Sequence, residues 1–331
     1  MALGGDAALS LLEVEGLRVR LPTSRGLTTV VDGVDYSVER GEIFGVAGES
    51  GSGKTVSMLA LLGLLPDGAV VEGSVHFGGR NLLRLTRKQL REVAGRELAM
   101  VFQDPLTSLH PMLSVGRQLT EHVRRHLGLD RRDAERRATE LLEAVRLPDP
   151  ESAVHAYPHQ FSGGMRQRIA IAIALACGPK LLIADEPTTA LDVTVQAGIL
   201  RLLDRLRREN ELSVVLITHD LGVMSSIADR VSIFYAGRVV ESGPRGAVLP
   251  HPRHPYTRAL LDALPHPEGP VDQRLIAIEG SPPSPGSIPA GCAFHPRCRY
   301  WEETCRHDVP PLVAVDGRRL ACPIDPFAPP P

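Results

Sequence analysis

Two hydrophobic patterns alternate along most of this chain. Short apolar runs recur over the first 250 residues, and several are continuous, which is typical of strands buried on both faces of a sheet. These runs lie at residues 11–21, 28–38, 42–47, 98–102, 181–185, 213–218 and 230–241. Because helical stretches lie between them, the pattern predicts an α/β fold with a strand in each run.

A helical period replaces the short runs in the middle of the chain. Apolar residues recur every fourth position at Val115, Leu119, Val123 and Leu127. A second helical repeat follows at Ala134, Ala138, Leu141, Leu142 and Val145. The pattern predicts a small helical subdomain, at about residues 104–165, inserted into the α/β core. Its arginines alternate with acidic residues, which is typical of a solvated helix face and not of a nucleic-acid site.

The character of the chain changes again near residue 250. The last 81 residues hold 17 of the 28 prolines and four of the five cysteines. Dense proline is incompatible with long helices and with the interior of a sheet. We therefore predict two regions, an α/β domain at residues 1–250 and a small Pro/Cys-rich region at residues 251–331.

Composition excludes several classes of protein. A net charge of −2 gives no bulk attraction to nucleic acid or to anionic lipid. The longest apolar run, residues 169–178, is about half the roughly 20 residues of a membrane-spanning helix. Residues 1–16 contain acids and no Lys or Arg, whereas a secretory signal begins with basic residues. We expect a chain that is neither secreted nor membrane-spanning.

The clearest motif is a glycine-rich loop at residues 48–55, which reads Gly-Glu-Ser-Gly-Ser-Gly-Lys-Thr. It follows a predicted strand and precedes a helical stretch, the context that a phosphate-binding loop requires. Its backbone N–H groups can turn toward an anion, Lys54 can reach the β- and γ-phosphates, and the Thr55 hydroxyl can bind Mg²⁺. The alternative is an ordinary Gly/Ser turn. The candidate nucleotide-binding residues are Gly48, Ser50, Gly51, Ser52, Gly53, Lys54 and Thr55.

Two acids end the buried run at residues 181–185. Asp185 would hold Mg²⁺ through water, and Glu186 would polarise the attacking water as a general base. A pair of acids that merely caps a strand is the alternative. Together with the glycine-rich loop, the two acids predict a nucleoside triphosphatase.

A second phosphate-binding feature lies at Ser162, Gly163 and Gly164. These residues precede a helical run, so the free N–H groups of a helix N-terminus and the Ser162 hydroxyl could bind a phosphate. An ordinary N-cap followed by a glycine turn is the alternative. Because one nucleotide does not need two such sites from one chain, two chains facing head to tail would use both.

Residues 162–167 resemble the signature motif of ATP-binding cassette (ABC) proteins. Three further motifs of that family are present, and all of the motifs occur along the chain in the order that the family has. Gln103 lies in the Q-loop, Asp192 in the D-loop at residues 190–192, and His219 is the switch histidine. The resemblance implies a P-loop cassette with a mixed-sheet core and an inserted helical subdomain. It also implies a dimer that binds two Mg-ATP, each between the loop of one chain and residues 162–164 of the other. Gln103 would bind Mg²⁺ and link the nucleotide to the helical subdomain, while Gln103 and His219 would orient the γ-phosphate.

One family feature is missing. The family places an aromatic ring against adenine upstream of the phosphate loop, but here the equivalent residue is Leu21. Without a ring the stacking contribution of about 0.5–1.5 kcal/mol is lost. Tyr36 is the other candidate, although its surroundings predict a position in the middle of a strand.

The C-terminal region resembles a narrower group, the ATP-binding subunits of oligopeptide and dipeptide permeases, and within it the D-type subunit. The resemblance lies at residues 254–261, 280–283 and 291–298. It implies an ATPase on the cytoplasmic face of the membrane that energises import of peptides or similar small solutes. Its partners would be two transmembrane permease subunits, a second ATPase of F-type or a second copy, and an extracytoplasmic solute-binding protein. The alternatives are nickel-chelate import and a soluble ABC ATPase that acts on nucleic acid or ribosomes.

Four cysteines, Cys292, Cys298, Cys305 and Cys322, lie close together in the Pro-rich region. Disulfides need an oxidising compartment, and zinc sites more often use cysteines two to four residues apart. Four thiolates at irregular spacing suit a 4Fe–4S cluster, and some permease subunits of the type resembled carry one. We expect such a cluster as a structural element, with zinc and plain thiols as alternatives, because a short Pro-rich segment has little core of its own.

Overall fold

The computed structural model describes residues 10–24, 26–189, 191–264 and 277–328. The chain divides into two compact units, one from Met1–Glu39, Phe44–Arg84 and Thr218–Pro331, the other from Arg40–Ile43 and Leu85–Ile217. The described residues after 250 therefore group with the N-terminal strands in the first unit.

A strand forms in each of the predicted apolar runs, and helices lie in the longer segments between them. The strands are β1 Leu12–Thr23, β2 Gly26–Val38, β3 Ile43–Ala47, β4 Val70–Phe77, β5 Arg80–Asn81, β6 Leu98–Val101, β7 Leu181–Asp185, β8 Ser213–Thr218, β9 Arg230–Tyr235, β10 Arg238–Pro244, β11 Val313–Val315 and β12 Arg318–Leu320. The α-helices are α1 Lys54–Leu62, α2 Arg87–Val93, α3 Pro105–Ser108, α4 Val115–Leu127, α5 Arg131–Ala144, α6 Pro150–Ala153, α7 Gly163–Leu175, α8 Val193–Asn210, α9 Leu221–Ile227, α10 Arg245–Val248 and α11 Pro255–Asp262.

The first unit contains two sheets. An antiparallel sheet has the strand order β2-β1-β4-β5. The other is mixed, in the order β11-β12-β10-β9-β3, because β3 runs parallel to β9 while β10 and β12 pair antiparallel. A mixed sheet with helices is the predicted fold class. The strand β3, which leads into the glycine-rich loop, is buried along its whole length.

One predicted strand is two strands in the structure. The run at residues 230–241 folds as the hairpin β9-β10, whose turn holds Ala236 at φ 47° and Gly237 at φ 81°. Positive φ at both central residues suits a two-residue hairpin turn. The sequence hides this turn because alanine rarely adopts that conformation.

The second unit contains the parallel strands β6, β7 and β8. Strand β7 is buried at every position, which explains its continuous apolar sequence. Helices α4 and α5 form where the four-residue repeat predicts them. They begin at the N-caps Ser114 and Asp130, and α4 ends at Gly128, which is left-handed. Their apolar faces are buried, as the four-residue repeat requires.

A buried carboxylate anchors the C-terminal region in the first unit. Glu241 in β10 is fully buried and accepts hydrogen bonds from the backbone N–H groups of Arg253 and His254, both at 3.0 Å. The guanidinium of Arg318 in β12 donates to the same carboxylate at 3.0 Å. Arg253 in turn pairs with Asp316 and Asp325. Three donors on one buried carboxylate compensate its desolvation and fix this part of the chain.

Replacing Glu241 with Gln should strongly destabilise the protein. The new amide N–H₂ would face the N–H donors that the carboxylate now accepts from, and the Arg318 charge would lose its partner. Breaking a buried ion pair in this way costs about 3–5 kcal/mol of unfolding free energy. The matched control is Glu72→Gln, which removes the exposed Arg20–Glu72 ion pair and should cost under about 1 kcal/mol. Urea unfolding measures the free energy of unfolding of both variants. Equal losses in the two variants would show that Glu241 does not anchor the C-terminal region.

Candidate functional site

The glycine-rich loop lies between β3 and α1, as predicted. Its first glycine, Gly48, has φ 145°, and a Cβ there would lie 2.2 Å from the carbonyl oxygen of Phe234. Gly53 is left-handed at φ 97° and is the N-cap of α1, without a side-chain cap. A Cβ on Gly53 would lie 2.9 Å from the Val30 oxygen. Glycine is therefore required at both ends of the loop, and the N-terminus of α1 can face an anion.

Lys54 is held inside the curve of this loop. Its side chain is buried, and its ammonium donates to the carbonyl oxygens of Gly48 at 2.7 Å and Glu49 at 2.8 Å. The Ser52 hydroxyl is 3.4 Å away. Thr55, in the first turn of α1, is half-buried, while Ser50 and Gly51 are exposed. The first unit thus presents a positive charge among backbone N–H groups, an arrangement suited to a polyphosphate.

The two acids lie at the end of β7 in the second unit. Asp185 is buried, and Glu186 follows at φ 46°, a conformation that is costly for a residue with a side chain. The Oε2 atom of Glu186 accepts hydrogen bonds from Gln103 Nε2 at 3.1 Å and from the Thr189 hydroxyl at 2.8 Å. The structure therefore brings Gln103 and Glu186 together across 83 residues of sequence.

Sequence reasoning missed Thr189. It lies three residues after Glu186, and its backbone N–H donates to the Glu186 carbonyl oxygen at 3.2 Å. A hydroxyl at that spacing, directly after two acids, is the only signal that could have indicated it. Because two donors reach the same carboxylate oxygen, the Glu186 side chain is held in one orientation.

The signature residues form the start of α7 in the second unit. The Ser162 hydroxyl caps α7 by accepting from the Met165 N–H at 3.4 Å. A Cβ on Gly164 would lie 2.5 Å from Val195 Cγ1, so glycine is required for the contact with α8. Gly163 is exposed. The predicted helix N-terminus is confirmed, and Ser162 is also the ordinary N-cap that was its alternative.

The remaining predicted residues lie at loop positions. Asp192 is the N-cap of α8, accepting from the Val195 N–H at 2.9 Å, and Ala190 of the same motif is outside the described residues. His219 directly follows β8 and is exposed, beside Asp220, which caps α9. His219 and the glycine-rich loop belong to the first unit, whereas Asp192 belongs to the second.

Tyr36 does not offer a ring to a nucleotide base. It lies within β2, two residues before the end of the strand, is 5% exposed and stacks on Phe44 with ring centroids 5.6 Å apart. Burial raises the pKa of its hydroxyl, and that hydroxyl contacts the Met58 sulfur. Tyr36 is therefore a core residue, and the half-buried Leu21 is left as the candidate for contact with adenine.

The four C-terminal cysteines, Cys292, Cys298, Cys305 and Cys322, all belong to the first unit. The Cys292 N–H donates to the Cys305 carbonyl oxygen at 2.8 Å. Burial raises the pKa of the thiols of Cys298 and Cys322 to about 11, and the other nearby thiols act in the same direction. None of the cysteines in the described residues forms a disulfide.

These cysteines do not form a site for a single metal ion. Over the part of the chain that the structure describes, no group of three or more His, Cys, Asp or Glu side chains is arranged to hold one. The zinc alternative therefore has no support, and the predicted iron–sulfur cluster has no formed ligand group.

Comparison with known proteins identifies the chain at the level of its family. A family model described as "ABC transporter" matches residues 31–189, and one described as "Oligopeptide/dipeptide transporter, C-terminal region" matches residues 240–305. The oligopeptide transport ATP-binding protein OppD of Haemophilus influenzae is 46% identical over 296 residues, which are 89% of this chain and 91% of that protein. The dipeptide transport ATP-binding protein DppD of Escherichia coli K12 is 46% identical over 317 residues, 95% of this chain and 96% of its own length.

A solved structure supports the same assignment. The dimeric post-hydrolysis state of the ATP-binding cassette MJ0796 bound to ADP and Pi has a TM-score of 0.64 and 26% identity, covering 71% of this chain and 98% of its own. The sequence matches, the fold and the glycine-rich loop all point to the same family. The chain belongs to the ABC ATPases, in the branch of the oligopeptide and dipeptide transport ATP-binding subunits.

Proposed function

We propose that this chain binds and hydrolyses ATP to energise the import of dipeptides, oligopeptides or similar small solutes. The observation that carries the proposal is the pair of family matches, at residues 31–189 and at residues 240–305. Relatives named for oligopeptide and dipeptide transport align over 89% and 95% of the chain, and the C-terminal match includes residues 240–305. The glycine-rich loop supplies the chemistry that such a function needs.

In the first unit, the glycine-rich loop and Lys54 would bind the phosphates of ATP. The loop N–H groups and the Lys54 ammonium would neutralise the β- and γ-phosphates. Thr55, Gln103 and Asp185 have the oxygen ligands that Mg²⁺ prefers, and Mg²⁺ would offset the charge that develops on the phosphates. Leu21 would pack against adenine without stacking, so we expect weaker discrimination between bases.

Hydrolysis would depend on Glu186 as the general base. Its carboxylate is held by donors from Gln103 and Thr189, so one orientation is already fixed before water arrives. Gln103 and His219 would orient the γ-phosphate. The contact of Gln103 with Glu186 supports a role for both at one reaction centre.

A second cassette would complete each nucleotide site. Ser162, Gly163, Gly164 and Asp192 lie at two neighbouring helix starts, and they would meet the phosphates bound by the partner. The partner would be a related F-type subunit or a second copy. ATP would close the dimer and hydrolysis would open it.

Transport requires partners that cross the membrane. Within the described residues, each helix is too short or too polar to span a bilayer. We propose two transmembrane permease subunits, with an extracytoplasmic solute-binding protein on the far side and this chain on the cytoplasmic face. Nickel chelates are the second solute class. A soluble ABC ATPase that acts on nucleic acid or ribosomes is the competing function, and the relatives' names weigh against it.

We also retain the 4Fe–4S cluster as a proposal. Its support is that Cys292, Cys298, Cys305 and Cys322 all belong to the first unit, where the Cys292 N–H donates to the Cys305 carbonyl oxygen at 2.8 Å. A four-iron cluster is larger than one ion, so its ligands can stand further apart than those of zinc. When bound it would act as a structural crosslink.

Glu186→Gln should abolish steady-state hydrolysis and leave ATP binding intact. Loss of a general base costs about 10²–10⁴-fold in rate. Phosphate release from ATP measures turnover, and gel filtration with Mg-ATP follows the dimer. The exposed Glu143→Gln in α5 is the matched control and should hydrolyse normally. A Glu186→Gln protein that still turns over would overturn the general-base assignment.

Affinity capture tests the transport function. Tagged Glu186→Gln protein should recover two multi-span proteins and a second cassette from detergent-solubilised membranes with Mg-ATP, and fewer without nucleotide. A captured solute-binding protein can then be titrated with peptides and with nickel chelates. Recovery of ribosomal or nucleic-acid partners from the soluble fraction alone would favour the competing function.

Purification without oxygen tests the cluster. The proposal predicts brown protein with absorbance near 400 nm and about four irons per chain. A Cys298→Ser variant should lose colour, whereas Cys177→Ser, which alters a buried cysteine outside the group, should retain it. Colourless wild-type protein would reject the cluster. If that protein contained one zinc ion per chain, the cysteines would be assigned to a zinc site instead.

A further inference from the structure

One residue of the phosphate loop is bound by the C-terminal region. The carboxylate of Glu49 forms two hydrogen bonds with the Arg297 guanidinium, Nη1 to Oε2 at 2.7 Å and Nη2 to Oε1 at 3.0 Å. The Arg297 side chain is 6% exposed, and 248 residues separate the pair in sequence. A bidentate, buried pair of this kind is among the stronger polar contacts in proteins.

A second residue of the C-terminal region holds the backbone of Glu49. The Glu49 N–H donates to the Tyr256 hydroxyl at 2.8 Å. The ring of Tyr256 packs against Tyr235 and Phe294, with ring centroids 4.5 and 5.3 Å apart. The Arg297 guanidinium lies over Tyr235 and Phe294, both at 5.9 Å. Both contacts on Glu49 therefore come from one aromatic cluster, which restricts their movement.

The third polar group of Glu49 faces the phosphate site. Its carbonyl oxygen accepts from the Lys54 ammonium at 2.8 Å. Side chain, N–H and carbonyl of Glu49 thus connect Arg297, Tyr256 and Lys54. A shift of Glu49 would move one of the oxygens that position the lysine.

Charge gives Arg297 a second effect. A carboxylate within a loop that binds a polyphosphate repels the ligand, and the repulsion is strong where water is excluded. Arg297 neutralises that carboxylate at close range. Both effects act in one direction, toward tighter nucleotide binding.

We propose that Arg297 is a positioning residue for nucleotide binding, and that through Glu49 the Cys-rich segment at residues 291–306 controls the affinity of the phosphate loop. The inference rests on nucleotide binding by this loop and not on the solute. It also has a reciprocal consequence. If the segment strengthens nucleotide binding, nucleotide must stabilise the segment by the same free energy.

Titration with a fluorescent, non-hydrolysable ATP analogue and Mg²⁺ tests the proposal on the full chain. Arg297→Ala should raise Kd about tenfold, since it removes a bidentate pair and exposes the Glu49 charge. Arg297→Lys keeps the positive charge but cannot form the bidentate pair, so its Kd should lie between those of the wild-type chain and Arg297→Ala. The matched control Arg299→Ala removes a 63%-exposed side chain of the same segment and should leave Kd unchanged.

A double variant separates positioning from loss of folding. In Glu49→Gln with Arg297→Ala the repulsive charge is gone, so Kd should return part of the way to the wild-type value. Thermal unfolding of each variant is measured in parallel. If Arg297→Ala binds as tightly as Arg299→Ala, or if the double variant binds no better than Arg297→Ala, the proposal is wrong.

Amide hydrogen exchange tests the reciprocal effect. The analogue should slow exchange at residues 291–306 in the wild-type chain, and this slowing should disappear in Arg297→Ala at saturating analogue. Unchanged exchange in the segment, with slowed exchange in the phosphate loop, would overturn the proposal. A wild-type chain that binds no analogue would instead reject nucleotide binding itself.

Discussion

The phosphate loop depends on backbone packing that leaves no room for side chains. At Gly48 the chain passes so close to the Phe234 carbonyl that a Cβ would lie 2.2 Å from its oxygen. At Gly53 a Cβ would lie 2.9 Å from the carbonyl oxygen of Val30. The Gly237 N–H also donates to the carbonyl oxygen of Ser52 at 2.9 Å. Because strands hold the loop on both sides, its N–H groups are fixed before nucleotide binds, and the entropy cost of ordering them has already been met in folding.

Among the described residues of the first unit, three buried charged side chains illustrate how partners compensate a charge that has lost its water. Lys54 is surrounded by carbonyl oxygens, Glu241 has three donors, and Arg297 has the Glu49 carboxylate. Each of these groups would be costly alone. The C-terminal region, rich in proline and poor in helix, is thus attached by ion pairs and an aromatic cluster more than by an apolar core of its own.

The sequence predicted local features well because local features have local causes. Continuous apolar runs identified β3, β7 and β8, since strands buried on both faces cannot alternate. The four-residue repeat identified α4 and α5. The hairpin at residues 236–237 was missed because its turn uses alanine in a conformation that alanine seldom adopts. The iron–sulfur cluster stays a proposal, because neither cysteine spacing nor a family resemblance determines where the thiols point.

The sequence by itself determined the nucleotide chemistry, because the loop at residues 48–55 and the acids Asp185 and Glu186 each lie within a few consecutive residues. Only the tertiary structure showed that Gln103 and Thr189 hold the same oxygen of Glu186. It alone joined Arg297 to Glu49 across 248 residues. Such pairs depend on how distant segments pack, and hydrophobic periodicity reports only whether each position is buried, not which residue lies opposite.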